Sequence, residues 1–138
     1  MILVSSLGHP KFKDDRMVLG EVFHPYLKEV LGSGDWAGNG GILAEPVNGL
    51  MQAVLTIVAT DLNMGDWWIG GREYSSEGEW RWESLQQPWE YTDWGMDKPS
   101  DQDNLNCIVL SAEFGYQWVD EKCEGRINYP IRPICQLF

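Results

Sequence analysis

The sequence predicts an α+β domain in which one helical segment precedes a mainly antiparallel sheet. Three observations predict this class: an apolar helical period over 47–62, strand-like periods from Trp67 onward, and a long irregular connection between Glu83 and Asn106. At 138 residues the chain is long enough for one domain with a substantial core. No internal repeat points to a repeat architecture.

The first 34 residues differ in texture from the rest, so we divide the chain into an atypical N-terminal segment, 1–34, and a domain, 35–138. The segment holds both histidines, His9 and His24, and neither has a second ligand at metal-binding spacing, which favours surface roles. Its apolar residues recur at a spacing that predicts a short helix ending at Gly32. They are Val22, Phe23, Tyr26, Leu27, Val30 and Leu31.

The next elements are a turn over 38–41, a short strand over 42–44 and a helix that Glu45-Pro46 opens, since proline is favoured in a first turn. Apolar residues three or four positions apart predict that this helix buries one face. They are Leu50, Val54, Ile57 and Val58.

The second half of the chain has a strand-like period. Strands are expected at 67–70, 79–83, 107–110, 116–119 and 132–137. The connection between Glu83 and Asn106 carries Pro88 and Pro99 and far exceeds the usual ~4 to 6 residues, which is typical of a functional loop. Gly40-Gly41 and Gly70-Gly71 are interpreted as turns, because no phosphate-binding glycine motif surrounds them.

Charge and hydropathy exclude several classes of partner. The formal net charge is −11 and the pI is near 4.4, so a nucleic-acid partner is not expected. No stretch approaches the ~20 apolar residues of a membrane span. The N-terminus lacks the basic region of a signal peptide, so no secretion signal is visible.

Several motifs occur in the order and at the spacing of one known family. They are Gly40 to Pro46, Trp68-Ile69-Gly70-Gly71, Glu79 to Trp82, Tyr91 to Trp94, Lys98-Pro99-Ser100, Asn106-Cys107-Ile108, Trp118 to Cys123 and Pro133-Ile134-Cys135. Together they resemble the C-type lectin-like domain. The resemblance implies a two-helix fold, here with the first helix truncated, a long ligand loop, and a secreted, extracellular recognition module.

The resemblance also gives roles to the three cysteines. It implies that Cys107 and Cys123 form the inner disulfide of the family, and that Cys135 is the last cysteine, whose usual partner on the first helix is missing. Two explanations stand side by side: Cys135 is a buried small hydrophobe in a natural variant, or residues 1–34 are a wrongly joined segment. An intermolecular disulfide is the least favoured alternative.

The calcium ligands implied by the family are largely replaced. Where members carry an acid or amide on each side of a cis-proline, this chain has Lys98 and Ser100, and two further ligand positions hold Leu105 and Val119. Only Asp120 survives. An ammonium repels a cation that needs ~6 to 8 oxygen ligands, so we expect no calcium at the standard sugar site and no cofactor. The sequence leaves the isomer of the Lys98-Pro99 bond open.

Other carboxylates and aromatics complete the candidate ligand site. A displaced cation site could form from Asp97, Asp101, Asp103 and Asn104 with Asp120, although a solvated acidic loop is favoured. Trp89 and Tyr91 are candidates for ligand contact, with loop packing as an equal alternative. Trp68, Trp80, Trp82, Trp94 and Trp118 occupy family core positions. The predicted ligand-binding residues are Trp89, Tyr91, Lys98, Ser100, Asp101, Asp103, Asn104 and Asp120.

Catalysis is not expected. Carboxylates near tryptophans could imitate a glycosidase pair, but an acidic chain offers such pairs by composition and no nucleophile, base and orienting group occur together. The carboxylates near tryptophans are Glu77, Glu79, Glu83 and Glu90. Two functions therefore stand: carbohydrate binding through the long loop without the standard calcium site, or a protein–protein interaction module that has lost sugar binding. The sequence leaves the oligomeric state open.

Overall fold

The structure is a computed structural model that describes residues 2–4, 11–13, 16–18, 42–74, 78–84 and 88–136. Several predictions fall outside these residues. They are the helix over 22–31, the turn over 38–41, both histidines, Glu77 and the last residue of the final strand.

The described residues form nine β-strands and one α-helix. The strands are β1 (Ile2–Val4), β2 (Lys11–Lys13), β3 (Arg16–Val18), β4 (Ile42–Leu43), β5 (Trp67–Glu73), β6 (Trp80–Trp82), β7 (Cys107–Ser111), β8 (Gln117–Glu121) and β9 (Arg132–Gln136). The helix α1 spans Gly49–Leu62, and a 3₁₀ turn at Ala112–Phe114 joins β7 to β8. The α+β class is confirmed, with strand ends shifted by one to three residues.

The strands of the main sheet run in the order β1-β9-β5-β7-β8. The β9–β5 pair is parallel, and the other pairs along this path are antiparallel. Strand β4 also pairs with β9, strand β6 pairs with β5, and β2 and β3 form a separate antiparallel pair. Strand β5 therefore lies at the centre, where β6, β7 and β9 all meet it.

The two glycines at the middle of β5 are buried within the strand, so their interpretation as a turn is wrong. A Cβ on Gly71 would lie 2.5 Å from Cδ1 of Ile108 and 2.7 Å from Cζ2 of Trp89. A Cβ on Gly70 would lie 2.9 Å from Cγ of Glu45. The strand register shifts between Ile69 and Arg72, which is the position of a β-bulge. Glycine is required here because neighbouring side chains approach the backbone closely.

Helix α1 exists as predicted, but its start and its buried face differ from the prediction. It begins after the N-cap Asn48, whose Oδ1 accepts a hydrogen bond from the Met51 N–H at 2.9 Å, and not at Pro46. Three of the four residues expected in the core are exposed: Leu50 by 76%, Val54 by 41% and Ile57 by 68%. The buried residues are Gln52, Leu55 and Ala59. No helix among the described residues is long and apolar enough to cross a bilayer.

Gln52 explains why a polar residue of α1 faces inward. Its Oε1 accepts a hydrogen bond from the Trp118 indole N–H at 2.8 Å. Its Nε2 donates to the Tyr116 carbonyl at 3.1 Å and to the Thr56 hydroxyl at 3.2 Å. One side chain therefore satisfies polar groups on β8 and its approach, which fixes the helix against the sheet.

The core beside this helix is rich in tryptophan. Trp67, Trp68, Trp80, Trp82 and Trp118 are buried, and Trp94 is half-buried and packs against them. Neighbouring rings meet edge to face, with centroids 5.4 Å apart for Trp82 and Trp118 and 5.1 Å apart for Trp80 and Trp94. The core role assigned to these tryptophans agrees with their burial.

The cysteines follow the pattern implied by the family. Cys107 and Cys123 form a disulfide with Cα atoms 5.0 Å apart, which confirms that pairing. Cys135 lies on β9 with its side chain fully buried, and burial raises the pKa of its thiol far above the usual range. Its surroundings therefore suit a small hydrophobe, the first of the two explanations.

Candidate functional site

The long loop is fastened to strand β8 by backbone hydrogen bonds. The Trp118 N–H donates to the Asp93 carbonyl at 2.9 Å, and the Gly95 N–H donates to the Trp118 carbonyl at 2.8 Å. A Cβ on Gly95 would lie 2.7 Å from Cδ1 of Phe114, so the loop also packs tightly on the 3₁₀ turn. The Lys98–Pro99 peptide bond is cis. The hydrogen bonds to Trp118 and the contact with Phe114 position the loop against β8 and the 3₁₀ turn.

Asp120, the one carboxylate at the calcium-ligand positions that the family implies, accepts hydrogen bonds from the long loop. Asp120 is buried, and its Oδ2 accepts a hydrogen bond from the Ser100 hydroxyl at 2.7 Å. The Ser100 N–H lies 3.1 Å and 3.0 Å from the two carboxylate oxygens. Ser100 therefore occupies acceptor positions of the Asp120 carboxylate that a cation would need. We call this pair the Ser100–Asp120 latch.

A groove of about 380 Å³ opens beside the latch. Its walls come from β7, the 3₁₀ turn, β8, the long loop and the segment after the disulfide. The lining residues are Asp66, Lys98, Leu105, Val109, Ser111, Glu113, Phe114, Val119, Asp120, Glu121, Arg126 and Tyr129. The Lys98 ammonium lies 5.8 Å from the centroid of the Phe114 ring, within range of a cation–π interaction.

An arginine links the opposite wall of the groove to two buried carboxylates. The Arg126 guanidinium lies 3.3 Å from Oε2 of Glu121 and 3.7 Å from Oδ2 of Asp66, while Oδ1 of Asp66 accepts the Ala112 N–H at 2.9 Å. The guanidinium also stacks 4.1 Å above the Tyr129 ring. Burial and the neighbouring Asp66 carboxylate raise the pKa of Tyr129. Arg126 therefore offsets part of the negative charge of Asp66 and Glu121.

The donor set at the standard site does not fit a calcium ion. Its single carboxylate is already hydrogen-bonded by Ser100, Lys98 brings a positive charge, and Leu105 and Val119 offer no oxygen from their side chains. Among the described residues, no group of three or more His, Cys, Asp or Glu side chains could hold a metal ion.

The carboxylates considered for a displaced cation site do not form a metal-binding group among the described residues. Asp97, Asp101, Asp103 and Asn104 are exposed. Asp97, Asp101 and Asn104 adopt positive φ angles of 60°, 55° and 72°, which are turn conformations that Asp and Asn tolerate. Their part in ligand binding stays a prediction.

Trp89 and Tyr91 lie on the core side of the loop. Trp89 packs 4.5 Å from the Trp82 ring centroid and also against Trp80 and Trp118. Tyr91 meets Trp118 edge to face at 5.9 Å. These contacts favour loop packing over ligand contact, and the ligand-binding role of both residues stays a prediction.

Of the eight predicted ligand residues, Lys98 and Asp120 line the groove, and Ser100 is hydrogen-bonded to Asp120. The wall formed by Phe114, Arg126 and Tyr129 was not among the predicted ligand residues. Only one signal could have found it: the disulfide implied for Cys123 brings the following residues back beside β7. No local motif marks Arg126 as the partner of Asp66.

A family model and relatives of known sequence match this chain. A family model described as "Lectin C-type domain" matches residues 37–136. A C-type lectin from Cerberus rynchops is 39% identical over 61 residues, which cover 43% of this chain and 38% of that relative. This chain therefore spans about two fifths of the length of that relative.

Two solved structures share the fold. The carbohydrate-recognition domain of cow CD23, solved in the presence of a GlcNAc2Man3 oligosaccharide, is 24% identical with a TM-score of 0.61, covering 99% of this chain and 87% of that one. The herring type II antifreeze protein is 18% identical with a TM-score of 0.64, covering 99% of this chain and 90% of that one. At these identities the likeness describes the fold alone.

Proposed function

Because the chain belongs to the C-type lectin domain family, we propose that it binds carbohydrate in the groove beside the long loop without a calcium ion in the standard site. The family is non-enzymatic and its members bind carbohydrate, so this chain is a binding domain and not an enzyme. The proposal concerns which face binds and how it does so without the cation.

The Ser100–Asp120 latch carries the proposal. In calcium-dependent sugar binding, carboxylates and amides hold the ion and also hydrogen-bond the sugar hydroxyls. Here the one remaining carboxylate accepts three contacts from Ser100, and an ammonium occupies a neighbouring ligand position. A calcium ion would have to displace these hydrogen bonds and overcome the repulsion from Lys98.

The groove offers other means of holding a saccharide. Glu113 and Lys98 present charged groups that accept or donate hydrogen bonds to hydroxyls, and the half-exposed ring of Tyr129 offers an aromatic edge. We place this binding outside the cell as part of the proposal. The Cys107–Cys123 disulfide supports that location, because disulfides persist in oxidising compartments.

A glycan array tests the proposal when each buffer is run with either calcium or EDTA. We expect wild type to retain the same glycans in both buffers, Lys98→Met to lose that retention, and Lys122→Met to keep it. Lys122 is the matched control because it is exposed beyond β8 and does not line the groove. Retention that disappears in EDTA would contradict the proposal.

A protein ligand is the second candidate, and two exposed apolar side chains favour it. Met96 is 80% exposed and Ile127 is 93% exposed, on the same segments that supply Lys98 and Arg126 to the groove. Contiguous exposed apolar surface marks protein interfaces, and these two side chains add apolar surface to segments that line the groove. An array that retains no glycan in either buffer would favour this candidate over carbohydrate.

A further inference from the structure

The bottom of the groove combines apolar side chains with one hydroxyl. Val109, Ser111 and Val119 lie on one face of the β7–β8 pair, because side chains alternate along each strand and Val109 is directly opposite Val119. Leu105 lines the same groove and is half-buried, as is Val119. We call Leu105, Val119 and Ser111 the groove floor.

The Ser111 hydroxyl is the member of the groove floor that has no hydrogen-bond partner. Ser111 lines the groove although the residue is only 5% exposed. It stands at the N-cap of the 3₁₀ turn, yet its side chain makes no capping hydrogen bond, and no other group of the described chain is bonded to it. An unpaired hydroxyl in a largely buried position is unfavourable, so a polar ligand group that bonds it is stabilised there.

We propose that the groove floor binds the acetamido group of an N-acetylated sugar, an inference that rests on the carbohydrate binding proposed above. The acetamido methyl lies against Leu105 and Val119, and the Ser111 hydroxyl hydrogen-bonds the amide, since a hydroxyl both donates and accepts. Val119 and Ser111 are diagonal neighbours across the strand pair. Such neighbours are ~7 to 8 Å apart, a gap that one small group can bridge.

An acetamido group fits the groove floor better than other sugar substituents do. A sugar that presents only hydroxyls would place them against Leu105 and Val119, whose side chains form no hydrogen bond. A purely apolar substituent would leave the Ser111 hydroxyl without a partner. The acetamido group carries a methyl directly beside an amide, so it meets both requirements.

The rest of the groove leaves room for the sugar ring. Its volume of about 380 Å³ is at the lower end of the range of ~300 to 1,000 Å³ for ligand pockets, which suits a short saccharide. Lys98 and Glu113 line the walls and present charged groups to the ring hydroxyls. The groove floor therefore sets the preference for the substituent, and the walls hold the ring.

Matched pairs of sugars in EDTA buffer test the proposal by saturation-transfer NMR. The pairs are N-acetylglucosamine with glucose and N-acetylgalactosamine with galactose. In at least one pair we expect the N-acetylated sugar to bind about tenfold more tightly than its partner, since a buried methyl and a net hydrogen bond each contribute a few-fold. Its acetamido methyl protons should receive the strongest saturation from the protein.

Two variants locate the binding at the groove floor. Ser111→Ala should weaken the N-acetylated sugar by about two- to tenfold and leave the unsubstituted sugar unchanged, which a merely structural role would not do. Val119→Thr keeps the side-chain shape, adds a hydroxyl to the apolar part and should weaken the same sugar several-fold. Val58→Thr is the matched control, because Val58 is also half-buried but lies on α1, away from the groove.

The possible failures are distinguishable. Equal binding within every pair would overturn this inference and leave the proposed carbohydrate binding in place, whereas binding of no sugar or glycan in any buffer would overturn both. An acetamido preference that both Ser111→Ala and Val119→Thr leave unchanged, with both variants folded by thermal unfolding, would place the acetamido group elsewhere and overturn the assignment.

Discussion

Three buried polar side chains, Gln52, Glu45 and Asp120, hold this domain together at positions that an apolar residue would ordinarily occupy. Each has partners on a different segment of the chain. Gln52 binds β8, Glu45 accepts the Ser84 N–H at 2.9 Å and the Ser84 hydroxyl, and Asp120 binds the long loop through Ser100. These residues fix loops and helix against the sheet.

Gln52→Leu should destabilise the domain by about 1–3 kcal/mol, because it leaves the Trp118 indole N–H and the Tyr116 carbonyl buried without partners. Chemical denaturation measures this loss. Gln102→Leu is the matched control on an exposed loop position and should change stability by less than about 0.5 kcal/mol. Equal effects of the two variants would show that the hydrogen bonds of Gln52 contribute nothing.

Glu45 should make stability depend on pH. Burial raises the pKa of its carboxyl and the charge of Glu83 raises it further, while hydrogen bonds from Ser84 act in the opposite direction. Above the unfolded value of about 4.3, the folded state binds more protons than the unfolded state until the pH passes the folded pKa. The free energy of unfolding therefore falls as the pH rises through that interval.

Glu45→Gln removes this penalty. Urea unfolding from pH 4 to pH 8 should show the variant gaining on wild type as the pH rises, with the difference constant above the folded pKa. Glu124→Gln, on an exposed position after the disulfide, is the control. Parallel pH curves for Glu45→Gln and wild type would show that the carboxyl carries no such penalty.

At the scale of elements, the long loop has Lys98 and Ser100 where the family resemblance implies calcium ligands, and the Lys98–Pro99 bond is cis. Lys98→Glu, Ser100→Asn, Leu105→Glu and Val119→Asn together restore the ligand types of the family around Asp120. We expect calcium, but not magnesium, to raise the unfolding midpoint of this variant, with a gain of about 2.7 kcal/mol at a hundredfold excess over Kd.

Ser100→Ala is the control for that variant, since it opens the latch without adding an oxygen ligand. Its midpoint should be lower than that of wild type and unchanged by calcium. If the quadruple variant folds and calcium leaves its unfolding midpoint unchanged, features beyond these four side chains, such as the backbone of the loop, prevent binding.

The sequence predicted the presence of helix α1 and of six strands in the domain, but it did not predict which helix face is buried. Apolar residues lie on both sides of the helix, so periodicity gave its existence and not its phase. The inward orientation of Gln52 was not predicted, because a polar side chain is expected to face solvent unless its hydrogen-bond partners are known. Tertiary contacts with Trp118 decided the orientation.

The same limit applies to the candidate site. Lys98, Leu105 and Val119 could be recognised as replacements because the family pattern assigns a position to each ligand. Ser100 as the partner of Asp120, and Arg126 as the partner of Asp66, pair residues 20 and 60 positions apart in the chain. Local patterns carry no information on such contacts.

At the scale of the whole molecule, the fold places an acidic chain around a tryptophan-rich core with one disulfide at the ligand-loop end. The net charge of −11 would favour cation binding in general, yet the one carboxylate at the standard site is already hydrogen-bonded. The net charge therefore favours cation binding, whereas the hydrogen bonds of Asp120 disfavour it at the standard site. We base the prediction on the site, because its hydrogen bonds have a defined geometry.

Thermal unfolding of the oxidised protein in calcium, in magnesium and in EDTA tests the central claim most directly, because an ion that binds only the native state raises the midpoint. The Ser100–Asp120 latch predicts one cooperative transition with the same midpoint in all three. A midpoint that rises in calcium alone and returns to the EDTA value in Asp120→Asn would contradict the account, because it would place the ion at the standard site.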